Sequence, residues 1–131
     1  GCFLSAYRPG TTPIIAGYQS TYALGTDGGA VWAKGFFGDH VTSWGGYLPS
    51  GNDGQTPLTY HLDKGASLSV GSVIEPWQGS DGSLSKQFVR VDLFHPRFVS
   101  GLPVGVAAWS AIECPDRMLV AGDGMCAPFV R

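Results

Sequence analysis

The chain has 131 residues, of which 44% are hydrophobic and only 14% are charged, and its formal net charge is −2. This is the size of one domain, and the apolar content is too high for a disordered chain. The eight Lys and Arg are scattered and form no basic patch, which argues against a nucleic-acid partner. No apolar run is long enough to span a membrane. The composition predicts one compact domain over residues 1–131, with residues 1–12 as an N-terminal arm.

The predicted elements are all strands. No 11-residue window free of Gly and Pro shows the three-to-four-residue apolar spacing of a helix. Residues 18–24 and 30–34 flank a Gly-rich turn and predict a hairpin. Further strands are predicted at 41–48, 58–62, 67–75, 87–94, 104–112 and 118–121. About eight short strands joined by Gly-rich turns predict an all-β domain, an antiparallel sandwich or barrel.

The cysteines bear on the location of the protein, because disulfides form mainly outside the cytosol. Cys114 and Cys126 bound a loop containing Pro115, and a disulfide closing such a loop would contribute about 3 kcal/mol. The alternative is two reduced, buried thiols. Cys2 is then a free thiol, an intermolecular partner or a lipid-anchor cysteine. The predicted bridge and the scarcity of Lys and Glu favour an extracellular or surface-exposed location.

A short motif, Gly-x-Asp-Gly, occurs at residues 25–28, 51–54 and 79–82. In such a turn the Asp side chain caps its own backbone and Gly adopts a positive φ. Calcium needs six to eight converging oxygens, which separate turns do not supply. The sequence therefore predicts turns here with neither a metal nor a cofactor, and calcium binding at these turns stays open as the alternative.

Catalytic signatures are weak. His40, His61 and His95 lie in no metal-binding spacing, and we expect them half-exposed at strand ends. A hydrolase needs a nucleophile and a base. The candidate catalytic pair is His40 with Cys114, or a serine with a histidine, and a disulfide at Cys114 would exclude the first pair.

Four tryptophans are many for this length. Trp77 and Trp44 lie in Gly-rich or Pro-rich segments, and Tyr47 follows Trp44 after two glycines, whereas Trp32 and Trp109 lie in predicted strands and are expected in the core. Exposed aromatic rings beside polar groups are typical of sugar-binding and protein-binding surfaces. The predicted ligand-binding residues are Trp77, Trp44, Tyr47, Asp53 and Asp81.

The C-terminal segment carries one resemblance. Its Cys114-Pro115 pair, short apolar strand, Gly-rich turn and final Cys126 resemble a pattern near the C-terminus of some secreted bacterial proteins, pilus-tip adhesins of the shufflon type among them. The likeness covers about one tenth of the chain, and Asp123 interrupts the glycine triplet of the pattern. It implies an extracellular recognition module presented on a filament or surface.

The predicted function is therefore an adhesin-like module that binds a cell-surface glycan or protein. Two alternatives stay open. A structural subunit of a virion or surface filament would use the low charge and high apolar content for self-assembly. A small hydrolase would use a Cys–His or Ser–His pair.

Overall fold

A computed structural model of the chain describes residues 2–6, 14–20, 31–48, 55–75 and 86–129. These residues form strands and helices in mixed order, so the fold is α/β, and the predicted all-β sandwich or barrel is wrong. The strands are β1 (Cys2–Ala6), β2 (Ile14–Ser20), β3 (Val31–His40), β4 (Leu68–Ser72) and β5 (Met118–Gly122). The α-helices are α1 (Leu58–Asp63), α2 (Val91–Val99) and α3 (Val104–Trp109), and a 3-10 turn at Pro115–Arg117 leads into β5.

The five strands form one mixed sheet in the order β1-β2-β3-β4-β5. Strands β2, β3 and β4 are parallel, while β1 and β5 are antiparallel to their neighbours. Parallel strands cannot be joined by a tight hairpin, so the hairpin predicted between residues 18–24 and 30–34 is wrong. The segment predicted as an N-terminal arm contains β1.

One face of the sheet packs on α2 and α3. Successive residues of a strand point to opposite faces, and Phe37 of β3 points to this side, where its ring centroid is 4.3 Å from that of Phe94. Phe94 in turn stacks on Phe98 at 5.1 Å. The buried core on this side consists of Phe37, Leu68, Val70, Val89, Phe94, Phe98, Val104, Ala107, Ala108, Ala111 and Ile112.

The other face is covered by α1 and by residues 41–46. Gly38, next to Phe37, lies under His61 of α1, and a Cβ at this position would overlap the imidazole ring. Gly71 of β4 likewise lies against the backbone of Gly45 and Gly46. Both contacts require glycine in the strand, because only a residue without a side chain allows such a close approach.

Among the described residues, α1 and α3 occupy segments predicted as strands, and α2 begins inside one, at residues 91–94. These helices have six to nine residues, fewer than the roughly eleven over which an apolar pattern identifies a helix, and Pro96 interrupts the pattern of α2. Gly65 and Gly101 follow α1 and α2 with φ of 95° and 97°. Each glycine donates its N–H to the carbonyl of the residue two positions before the helix C-cap. The residue after the glycine donates its N–H to the carbonyl one position earlier still, and the two bonds together form a Schellman motif. Within the described ranges, no helix has the length and apolar character needed to cross a membrane.

No disulfide joins Cys114 and Cys126, so the predicted bridge is not formed. Strand β5 separates them: Cys114 precedes the 3-10 turn that leads into it, and Cys126 lies beyond its far end against the α2–α3 core. A five-residue strand spans about 15 Å, whereas a disulfide needs Cα atoms within about 7 Å. Backbone hydrogen bonds hold the two ends in place, from Cys114 to Lys86 and from Val104 to Cys126.

We predict that Phe94→Ala lowers the free energy of unfolding by about 3–5 kcal/mol, because it leaves a cavity among Phe37, Phe98 and α3. Urea denaturation measures the change. The matched control is His95→Ala at the adjacent, exposed position, which we expect to change stability by less than about 0.5 kcal/mol. Equal effects of the two substitutions would contradict the packing described for α2.

Candidate functional site

The carboxyl ends of the parallel strands β3 and β4 lie at the same edge of the sheet. Strand β3 ends at His40 and is followed by residues 41–48, and β4 ends at Ser72 and is followed by residues 73–75. In open α/β sheets, ligands bind outside the carboxyl ends of the strands. We therefore expect a ligand-binding site at this edge.

Residues 41–48 are held firmly at this edge. Gly46 donates its N–H to the Ser72 carbonyl at 2.8 Å, which ties the segment to the end of β4. Leu58 donates to the Gly45 carbonyl at 2.7 Å, which ties the segment to the start of α1. The Trp44 N–H donates to Oε1 of Gln55 at 2.9 Å. The backbone that carries Trp44 and Tyr47 is thus fixed before any ligand arrives.

Trp44 and Tyr47 form an aromatic pair on this segment. Their ring centroids are 5.6 Å apart and their planes meet at 74°, so one ring presents its edge to the other. Trp44 is half-buried, whereas Tyr47 is 42% exposed. Three exposed apolar side chains follow the same two strand ends, Leu48 after β3 and Val73 and Ile74 after β4. We call the set Trp44, Tyr47, Leu48, Val73 and Ile74 the carboxyl-edge surface.

Polar groups border this surface. Glu75 follows Ile74, and its carbonyl accepts a hydrogen bond from the guanidinium of Arg117 at 3.2 Å. Val73 donates its N–H to the Arg117 carbonyl at 2.9 Å, so the 3-10 turn lies at the same edge. Asp116 in that turn has a side chain that is 66% exposed. The edge thus combines aromatic rings, aliphatic groups and a carboxylate that solvent can reach.

Beneath the edge lies a buried group of polar side chains that sequence reasoning missed. Nδ1 of His61 is 3.0 Å from Oγ of Ser69, and Nδ1 of His40 is 3.1 Å from Oγ1 of Thr42. His40, His61 and Ser69 are buried, although histidines at strand ends were predicted to be half-exposed. Asp39, also buried, alternates with His40 along β3 and so points toward the opposite face.

The distance between the His61 imidazole and the Ser69 hydroxyl is that of a catalytic base and its nucleophile, yet the pair is not placed for catalysis. Both residues are fully buried, so neither reaches a substrate while α1 stays on the sheet. Burial, and secondarily the nearby His40, lowers the pKa of His61 from 6.5 to about 4. His61 is therefore neutral near pH 7, and its hydrogen bond anchors α1 to β4.

The remaining predicted site residues fall into two groups, those that lie outside the described residues and the candidate Cys–His pair. Trp77, Asp53 and Asp81 lie outside the described residues. His40 is buried beside Thr42, whereas Cys114 is exposed, and no contact within the described ranges joins the two. In the same part of the chain, no cluster of three or more His, Cys, Asp or Glu is arranged to hold a metal ion. The predicted Cys–His pair is thus not assembled.

Trp109 corrects a further expectation. It was expected in the core of a strand, but it lies on α3 and is 53% exposed. Recognition of α3 as a helix would have revealed this, because the buried residues Val104, Ala107 and Ala108 lie on the face opposite Trp109.

Comparison of the chain with protein-family models, with curated proteins and with solved structures finds no match. The chemistry of the carboxyl-edge surface is therefore the observation that bears on function.

The lowered pKa of His61 predicts acid sensitivity. The unfolded chain binds a proton at this residue near pH 6.5, while the folded chain resists protonation until about pH 4. The unfolded state thus binds more protons between these values, so stability is greatest above pH 6.5 and falls as the pH approaches 4. At about 1.4 kcal/mol per pKa unit, we expect His61 to account for a loss on the order of 3 kcal/mol.

The measurement is the free energy of unfolding at pH 7 and pH 4 for the wild type, His61→Gln and His95→Gln. We expect His61→Gln to be less stable at pH 7 but to lose less on acidification. His95→Gln, which changes an exposed histidine, should follow the wild type. If His61→Gln lost as much stability as the wild type, the pH dependence would originate elsewhere.

Proposed function

We propose that the protein is a recognition module that binds a cell-surface glycan at the carboxyl-edge surface. The observation that carries the proposal is the exposed ring of Tyr47, packed against Trp44 on a segment whose backbone is fixed to β4 and α1. Aromatic faces stack on the apolar faces of sugar rings, and a rigid backbone reduces the entropy lost on binding.

The neighbouring polar groups suit the same ligand. Sugar hydroxyls need hydrogen-bond acceptors beside the stacking ring, and the exposed carboxylate of Asp116 lies in the turn at this edge. The surface also contains the exposed apolar side chains of Leu48, Val73 and Ile74, which would exclude water from a bound ligand. The adhesin-like resemblance of the C-terminal segment supports the same function. The proposed extracellular or surface-exposed location depends on this resemblance and on the scarcity of Lys and Glu, because the predicted Cys114–Cys126 disulfide is not formed.

We expect Tyr47→Ala to weaken glycan binding at least about tenfold, which corresponds to about 1.4 kcal/mol. Tyr47→Phe keeps the ring and should retain most of the affinity. A glycan array identifies the ligand, and titration of the free oligosaccharide then gives Kd for each variant.

The matched control is Trp109→Ala, which removes a different exposed aromatic residue from α3. It should bind the oligosaccharide as the wild type does. The proposal fails if the wild type binds no glycan on the array, or if Tyr47→Ala and Trp109→Ala weaken binding equally.

A structural subunit remains the second candidate function. The observation in its favour is a separate group of exposed apolar side chains on the α2–α3 side of the molecule, Val99, Leu102, Val106 and Trp109. Large exposed apolar patches are typical of surfaces that contact other proteins.

A further inference from the structure

Helix α3 carries an apolar surface that the proposed glycan site does not use. Val106 is 50% exposed and Trp109 is 53% exposed, and their three-residue spacing places them on one face of the helix. Val104, Ala107 and Ala108 on the other face are buried in the core. The outer face is therefore apolar for its whole length.

Side chains on either side of the helix extend this face. Leu102 lies just before α3 and is 39% exposed. Met125, 77% exposed, follows Gly124, whose carbonyl accepts the N–H of Gly105 at 2.9 Å. We call this set, Leu102, Val106, Trp109 and Met125, the α3 stripe.

A positive charge lies at the C-terminal end of the stripe. The guanidinium of Arg97 donates to the carbonyl of Ser110 at 2.7 Å and to its Oγ at 3.2 Å. Ser110 follows Trp109 directly, so these bonds hold Arg97 at the end of α3. Whereas Arg90 and Arg117 form ion pairs, Arg97 forms none with the described residues.

A negative charge lies at the N-terminal end. Asp123 precedes Gly124 and accepts the N–H of Met125 on Oδ1 at 3.0 Å. Val104 donates to the Cys126 carbonyl at 2.8 Å, which places this turn beside the first residue of α3. Among the described residues Asp123, like Arg97, takes part in no ion pair.

The α3 stripe is thus apolar along its centre and has opposite charges at its two ends. These charges make it complementary to a second copy of itself. Consider a two-fold axis that crosses α3 near Val106, at right angles to the line from Arg97 to Asp123. It brings Arg97 opposite Asp123 of the partner subunit and Asp123 opposite Arg97 of the partner subunit. An isologous contact repeats every pair in this way, and a lipid surface or a partner with one sign of charge would match only one end of the stripe.

We propose that the α3 stripe is the interface of a symmetric dimer, in which a second copy of this chain covers Val106 and Trp109 and two reciprocal Arg97–Asp123 ion pairs set its orientation. The proposal does not depend on the glycan site, since the stripe and the carboxyl-edge surface share no residue.

Charge reversal tests the interface directly. Sedimentation equilibrium of the full chain gives the dimer Kd for the wild type, Arg97→Glu, Asp123→Arg and the double variant that carries both changes. We expect each single reversal to weaken the dimer at least about tenfold, because it places like charges opposite each other. The double variant restores opposite charges, and its dimer Kd should return to within about threefold of the wild type.

Two controls separate the interface from folding. Lys64→Glu reverses an exposed charge beside α1 and should leave the dimer Kd unchanged. Val106→Asp should abolish the dimer while thermal unfolding and circular dichroism show a folded monomer, because this side chain contacts solvent in the monomer.

Four results would overturn the proposal. A wild type that is monomeric up to about 100 µM would exclude a dimer with micromolar affinity. Assemblies that grow beyond two copies would indicate a head-to-tail contact instead of a closed two-fold contact. A double variant as weak as the single variants would exclude the reciprocal ion pairs. A monomer that sediments with anionic or neutral phospholipid vesicles would identify a lipid surface as the occupant.

Discussion

The structure depends on one constraint, the burial of strands β3 and β4 on both faces. Phe37 and Val70 pack under α2 and α3, while Gly38 and Ser69, their neighbours along the strands, pack under α1. Apolar contacts stabilise the first face. The second face is closed by the absence of a side chain at Gly38 and Gly71 and by a hydrogen bond between His61 and Ser69. Because both faces are covered, a ligand can reach these strands only at their ends.

The sequence predicts part of this fold. The strands expected at 67–75 and 118–121 are confirmed as β4 and β5. The sequence does not predict the helices, because they are short and because the glycines after them also fit turns between strands. Gly65 and Gly101 instead end helices, and a glycine that ends a short helix looks the same in sequence as one that begins a hairpin turn. The tertiary contacts of the helices, above all that of Phe94 with Phe37, decide between a helix and a hairpin.

The candidate site was also predictable in part. Trp44 and Tyr47 were singled out because of the glycines between them, and they lie together at the carboxyl edge, although in a turn and not in the predicted strand. The pairing of His61 with Ser69 could not be found, since it requires knowing that β3 and β4 are parallel and that α1 crosses between them. Val73 and Ile74 lie near residues 41–48 because Gly46 donates its N–H to the carbonyl of Ser72, the residue before Val73, and this contact could not be predicted from the sequence.

The order of strands in the sheet, which equals their order along the chain, has a consequence for biosynthesis. A nascent chain leaves the ribosome from its N-terminus, and here each new strand adds beside the one before it, so none has to be inserted between two that have already paired. Among the described strands β5 is added last, after α2 and α3. A chain whose translation stops before Met118 would leave the outer edge of β4 without its partner, and an open edge of this kind invites pairing with other chains.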